Sequence, residues 1–156
     1  MSKQIKLPLA EAEGMIREEL ANGGSAVINI HGTSMLPLLK DGKTYVRLVA
    51  PTLPLKKHQV ILYKRRNGQF VLHRILARKR DGLICRGDHQ WEKEFPVSEA
   101  DVIAVMTGYT KGEVWMKTDT CTQRLLGAYL ARTGRVRMLF RAAKSKLCRA
   151  LKRKRT

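Results

Sequence analysis

Asp41-Gly42, Asn67-Gly68, Asp81-Gly82 and Thr110-Lys111-Gly112 cut the middle of the chain into runs of four to eight residues. Asn-Gly and Asp-Gly accept the left-handed backbone of a two-residue hairpin loop, so they join strands rather than helices. The runs between them, Ala26–Ile30, Thr44–Val49, Gln59–Tyr63, Gln69–Leu76, Leu83–Arg86, Val102–Tyr109 and Glu113–Met116, read as short strands. Alternation along Gln69–Leu76 places Val71, His73 and Ile75 on one apolar face. Several short strands at this spacing predict a mainly β core, either a barrel or a folded sheet.

Two stretches lie outside that pattern. Residues 8–22 carry Leu9, Ala12, Met15, Ile16 and Leu20 at helical spacing and end at Asn22-Gly23-Gly24, a helix stop. From about Thr120 onward, Val136, Leu139, Phe140, Ala143, Leu147 and Leu151 recur every three or four residues among Arg137, Arg141, Lys144, Arg149 and Lys152. This predicts a basic amphipathic helix, separated from a preceding one at Thr133-Gly134. The expected organisation is an N-terminal helix over 1–24, a β domain over 25–118 and a basic helical tail over 119–156.

Charge follows the same division. The net charge is +18, yet residues 121–156 hold twelve Lys+Arg and no acid, whereas the rest holds 19 Lys+Arg against 13 Asp+Glu. The tail is therefore a separate electrostatic object, suited to a phosphate-bearing surface. Cys85, Cys121 and Cys148 are an odd set without CxxC spacing, which argues against a disulfide framework or a zinc ribbon. Glu11, Glu13, Arg17, Glu18 and Glu19 interrupt the N-terminal apolar run, and no stretch of about 18 apolar residues occurs. The expected location is cytoplasmic, with any membrane contact peripheral and on the cytoplasmic face.

The candidate chemistry starts at Gly32-Thr33-Ser34-Met35-Leu36-Pro37, just past a strand end. A serine there can be held exposed on a rigid turn, although serine beside glycine and proline also serves as a plain turn residue. Amide hydrolysis by serine needs a base and an oxyanion pocket. His73 is a candidate base sheltered on its strand, with a structural histidine as the plainer alternative. Asp88, in Gly87-Asp88 beyond the next strand, could return beside His73 by hairpin pairing and fix its tautomer, or simply cap its own turn.

Taken in order, Gly32–Pro37, Leu72-His73-Arg74-Ile75 and Arg86-Gly87-Asp88 resemble the Ser-Met-x-Pro, His-Arg and Gly-Asp boxes of the signal peptidase I family. The match is to the branch that uses histidine as base, with LexA-type autoproteases as relatives, and it spans about residues 25–106. The resemblance implies a coiled β-sheet core and a serine endopeptidase. Ser34 would be the nucleophile, His73 the general base and Asp88 its orienting acid. The backbone N–H of Ser34 would serve as an oxyanion donor, and family substrates carry small side chains at positions −1 and −3.

Position 32 is glycine where the lysine branch has a serine donor, so Thr33 becomes the candidate second oxyanion group. Glu94 is the nearest match to the family's second acid. The usual membrane anchor is missing, and a tail helix with Arg137, Leu139, Phe140, Arg141, Lys144 and Leu147 at an anionic membrane surface is the expected substitute.

The expected partner is a peptide or precursor protein. A LexA-like self-processing or nucleic-acid-binding regulator is the second reading, supported by the tail's charge but lacking an N-terminal DNA-reading domain. A non-catalytic membrane- or partner-binding module is the third. No cofactor is expected, and His31, His73, Asp88 and His89 show no metal-ligand spacing. His31 and His89 are alternative bases, and Trp91 and Trp115 are packing or groove residues.

Overall fold

The computed structural model describes residues 2–5, 9–118, 125–130 and 132–133. The chain is mainly β, with nine strands among the described residues: β1 (Ser2–Ile5), β2 (Ser25–Asn29), β3 (Tyr45–Val49), β4 (Val60–Lys64), β5 (Phe70–Lys79), β6 (Gly82–Arg86), β7 (Glu94–Val97), β8 (Val102–Lys111) and β9 (Val114–Lys117). They form one sheet in the order β1-β2-β3-β8-β4-β5-β6-β7, with β9 paired to β8. Only β1 and β2 run parallel; the other pairs are antiparallel. Since β1 and β7 end the order unpaired to each other, the folded-sheet alternative holds and the barrel does not.

The helix α1 (Leu9–Ala21) stops where glycine permits it. Gly23 takes φ +74°, its N–H reaches the Leu20 carbonyl at 3.1 Å, and the Gly24 N–H reaches that of Glu19 at 2.9 Å. These two bonds satisfy carbonyls that the helix end leaves open.

Strand alternation splits the core over the two faces of the sheet. Val60, Leu62 and Leu72 join Ala104, Met106, Met35, Leu39 and the inner stripe of α1 (Ala12, Ile16, Leu20) in one cluster. Ile61, Tyr63 and Ile75 join Leu83, Cys85, Val97 and Val105 in another. Because β4 buries Ile61 on one side and Leu62 on the other, the sheet is covered on both faces there. Each such side chain contributes about 1.5–3 kcal/mol on burial.

Two strands were not expected. β1 is a four-residue edge strand, too short to show alternation. β7 contains Pro96, which lacks a backbone donor and is tolerated because β7 is the other edge. Residues 125–130 are helical, with Leu130 buried and Leu125 and Tyr129 exposed. The tail residues Arg137, Leu139, Phe140, Arg141, Lys144 and Leu147 lie outside the described residues. No helix among the described residues is long and apolar enough to cross a membrane.

Candidate active site

β5 presents His73 and Arg74 in succession, so their side chains leave opposite faces of the sheet. His73 faces the second core cluster opposite Ile61 and is 1% exposed. Its Nδ1 lies 3.0 Å from Glu94 Oε1 and 3.1 Å from the Tyr63 hydroxyl. The Tyr63 O–H donates to Glu94 Oε2 at 2.7 Å, so its oxygen faces the ring as an acceptor. Both neighbours of Nδ1 therefore accept, which places the ring proton on Nδ1 and leaves the lone pair on Nε2. Nε2 makes no hydrogen bond among the described residues.

Glu94 is held in turn by Arg65, which donates from Nε to Oε2 at 3.0 Å and from Nη2 to Oε1. Burial by itself would raise the Glu94 carboxyl, but the hydrogen bonds from Arg65 and Tyr63 outweigh it and hold the group below the usual carboxylate range. Burial pushes the His73 imidazole below its ordinary value, opposed by the Glu94 charge. Burial, then the bond to Glu94, pushes the Tyr63 hydroxyl well above its ordinary range. The result is a neutral imidazole, a charged carboxylate and a protonated phenol at neutral pH.

Asp88 holds a different position from the one expected. Its carboxylate takes a bidentate pair from Arg74, Nε to Oδ1 at 2.8 Å and Nη2 to Oδ2 at 2.6 Å, with side chains 5% and 1% exposed. Arg74 Nη1 also donates to the His58 carbonyl at 2.9 Å. The carboxylate that orients His73 is thus Glu94, and Asp88 anchors the turn that follows β6. The cause is directional: hairpin pairing brings Asp88 back beside β5, but on the face of Arg74 rather than that of His73.

That turn also fixes the serine segment. The His89 N–H donates to the Ser34 carbonyl at 2.8 Å, and the Gln90 N–H to the Gly87 carbonyl at 3.1 Å. A Cβ on Gly87 would meet the Ser34 carbonyl oxygen at 2.6 Å, so only glycine fits. At the other end, Gly32 takes φ +97° and donates its N–H to Asp41 Oδ1 at 2.9 Å. Met35 and Leu39 are buried in the first cluster and hold the segment down.

Ser34 is half-buried, and neither its N–H nor its hydroxyl has a hydrogen bond among the described residues. The structure does not bring Ser34 Oγ within hydrogen-bonding distance of His73; the two are linked through the span 87–94. Thr33 is exposed, its carbonyl accepting from the Leu36 N–H at 3.2 Å and its hydroxyl making no bond among the described residues.

The alternatives fall outside this centre. His31 is exposed, with Nδ1 3.6 Å from Asp41 Oδ1, and His89 contributes its backbone. Trp91 is 46% exposed and Trp115, 40% exposed, stacks under the Arg47 guanidinium at 4.6 Å, so neither is core packing. Among the described residues no group of three His, Cys, Asp or Glu could hold a metal ion. The sequence motifs do not point to Tyr63 or Arg65. Their signal was available: the Asn67-Gly68 hairpin pairs β4 with β5, and Tyr63 shares the Ile61 face that meets His73.

No family model matches the chain, and no curated protein or solved structure does either.

Proposed function

We propose that the chain is a serine endopeptidase of the signal peptidase kind, removing a signal or leader peptide from a precursor. The observation that carries this reading is the His73–Glu94 pair: a buried imidazole with its Nδ1 proton on a carboxylate and its Nε2 lone pair left for a substrate reaction. In the reaction, Nε2 takes the Ser34 hydroxyl proton as Oγ attacks the scissile carbonyl carbon. The Ser34 N–H receives the oxyanion, with the Thr33 hydroxyl as a further donor. Nε2 then passes the proton to the leaving amine, and water releases the acyl group by the same relay. Glu94 stabilises the imidazolium formed on the way.

The open Ser34–His73 distance favours a second reading, a non-catalytic binding module. Catalytic hydrogen bonds often lengthen in substrate-free enzymes, so this geometry is compatible with either. The basic tail would bring the chain to an anionic membrane surface, where membrane-associated precursors lie.

One experiment separates the readings. Wild type and Ser34→Ala are incubated with a peptide library that includes small residues at −1 and −3, with and without anionic vesicles, and products are read by mass spectrometry. Cleavage lost in Ser34→Ala supports the peptidase, and a vesicle requirement supports the membrane role. Equal silence of both proteins across the library and on membrane-bound precursors favours the binding module.

A further inference from the structure

On the Arg74 side of the sheet, away from His73, the segment 125–130 leaves a cavity of about 620 Å³ against β4 and β8. This is within the range of about 300–1,000 Å³ typical of small-molecule sites. Its walls are apolar, with Val60, Val105, Met106 and Leu126 prominent. The polar side carries the cations Lys56 and Lys57, beside the neutral His58, Gln59 and Thr107 and beside Arg74, whose charge Asp88 answers; no carboxylate lines it among the described residues. Lys56 and Lys57 are exposed and make no ion pair among the described residues.

His58 sits in an unusual backbone state at this rim. Its φ is +73°, uncommon for a residue with a side chain, and it is pinned there by its N–H to the Ile75 carbonyl and by Arg74 on its own carbonyl. Its ring Nδ1 is enclosed without a hydrogen-bond partner. Burial, then Lys57 and Arg74, disfavours a proton on this imidazole, as a positive local field requires. Gly127 packs directly against this rim; a Cβ there would lie 3.0 Å from Arg74 Nη1 and 3.5 Å from His58 Cβ.

An apolar chamber with a one-sided cationic rim and an unanswered polar nitrogen selects a particular chemistry. A peptide would bring amides with few acceptors to meet them, and a small inorganic anion would leave the chamber unfilled. We propose that the cavity binds a single-chain anionic amphiphile, its hydrocarbon chain between β4, β8 and segment 125–130 and its head at Lys56, Lys57 and the His58 ring. The head is a carboxylate or phosphate, from a free fatty acid or from a membrane lipid. This site is separate from the Ser34–His73 centre, and its test does not depend on peptidase activity.

The test titrates laurate, dodecyl phosphate and dodecanol into the full chain and into Ser34→Ala by calorimetry, with anionic vesicles as a separate arm. Laurate and dodecyl phosphate are expected to bind at one per chain, equally in both proteins, and dodecanol more weakly. Saturation by vesicles that blocks laurate points to the lipid source; no competition points to the free acid. The double variant Lys56→Glu/Lys57→Glu, on exposed positions, is expected to weaken laurate by at least about tenfold. Gly127→Leu is expected to abolish binding by filling the chamber. Laurate binding unchanged in both variants assigns it to the basic tail and overturns the proposal. So does the absence of one-to-one binding in the wild-type chain.

Discussion

Glu94 Oε1 lies 3.0 Å from His73 Nδ1, six residues beyond the aspartate that the Gly-Asp box brings forward. The two acids divide by face: Glu94 holds the His73 imidazole, and Asp88 neutralises the buried Arg74. Their variants should therefore fail differently. Glu94→Gln should lower kcat by roughly 10²–10⁴ with KM little changed, because the imidazole loses its tautomer control and its counter-charge. Asp88→Asn leaves Arg74 buried and uncompensated, and should cost about 3–5 kcal/mol of stability. Peptide cleavage kinetics and thermal unfolding of both variants check this; equal kinetic loss without a stability difference would return the orienting role to Asp88.

The pH dependence follows from the two lowered groups. His73 in the fold binds its proton less readily than free imidazole, near 6.5, so kcat/KM should hold to lower pH and fall only through that depressed value. Removing the Glu94 charge, which raises the His73 value, should move this acid limb lower still. Stability has the same sign. Below about 6.5 the unfolded chain takes a proton at His73 that the fold resists. The stability that Glu94 contributes, present above about 4.5, is lost as pH falls through its lowered folded value. Urea unfolding should show an acid loss that begins below about 6.5; in Glu94→Gln the His73 part should extend to lower pH, and the part that Glu94 itself contributes below about 4.5 should disappear.

Gly87 and Gly32 should respond to alanine for unlike reasons. At Gly87 the obstacle is space: the added methyl meets the Ser34 carbonyl at 2.6 Å and Gln90 Oε1 at 2.8 Å. Gly87→Ala should cost about 1–3 kcal/mol and reduce cleavage by displacing Ser34. At Gly32 nothing lies within 4 Å, and φ +97° is the obstacle. Gly32→Ala should cost about 1–2 kcal/mol. Circular-dichroism melts paired with cleavage rates separate the two, since displacement of Ser34 lowers kcat beyond any loss of folded protein.

Cys85 should be inert in the folded chain. It is fully buried, and burial pushes its thiol up to about 12, so almost no thiolate forms at neutral pH. Alkylation with iodoacetamide followed by peptide mapping should label Cys85 only in denaturant. Labelling at an ordinary thiol rate in buffer would contradict this burial.

The sequence disclosed the fold where turn chemistry and alternation agree. Asn67-Gly68 and Asp81-Gly82 mark the β4–β5 and β5–β6 hairpins, and Val71, His73 and Ile75 share the face expected of them. It hid the edges. β7 carries Pro96 and has exposed residues at two of its four positions, so no inward pattern announces it. Missing β7 meant missing the strand that pairs Glu94 with Cys85, two strands across from His73. Asp88 follows β6 directly, but sequence distance carries no information about which face of β5 a returning carboxylate will meet.

The span from Gly87 to Glu94 touches the proposed nucleophile at one end and the proposed base at the other: His89 holds the Ser34 carbonyl, and Glu94 holds His73. Its foot is clamped by Asp88 on Arg74 and its head by Arg65 on Glu94. Ser34 and His73 are thus tied to one piece of chain. A substitution that shifts that piece would therefore move the serine segment and the imidazole's partner together, and Trp91, half-exposed, lies within it.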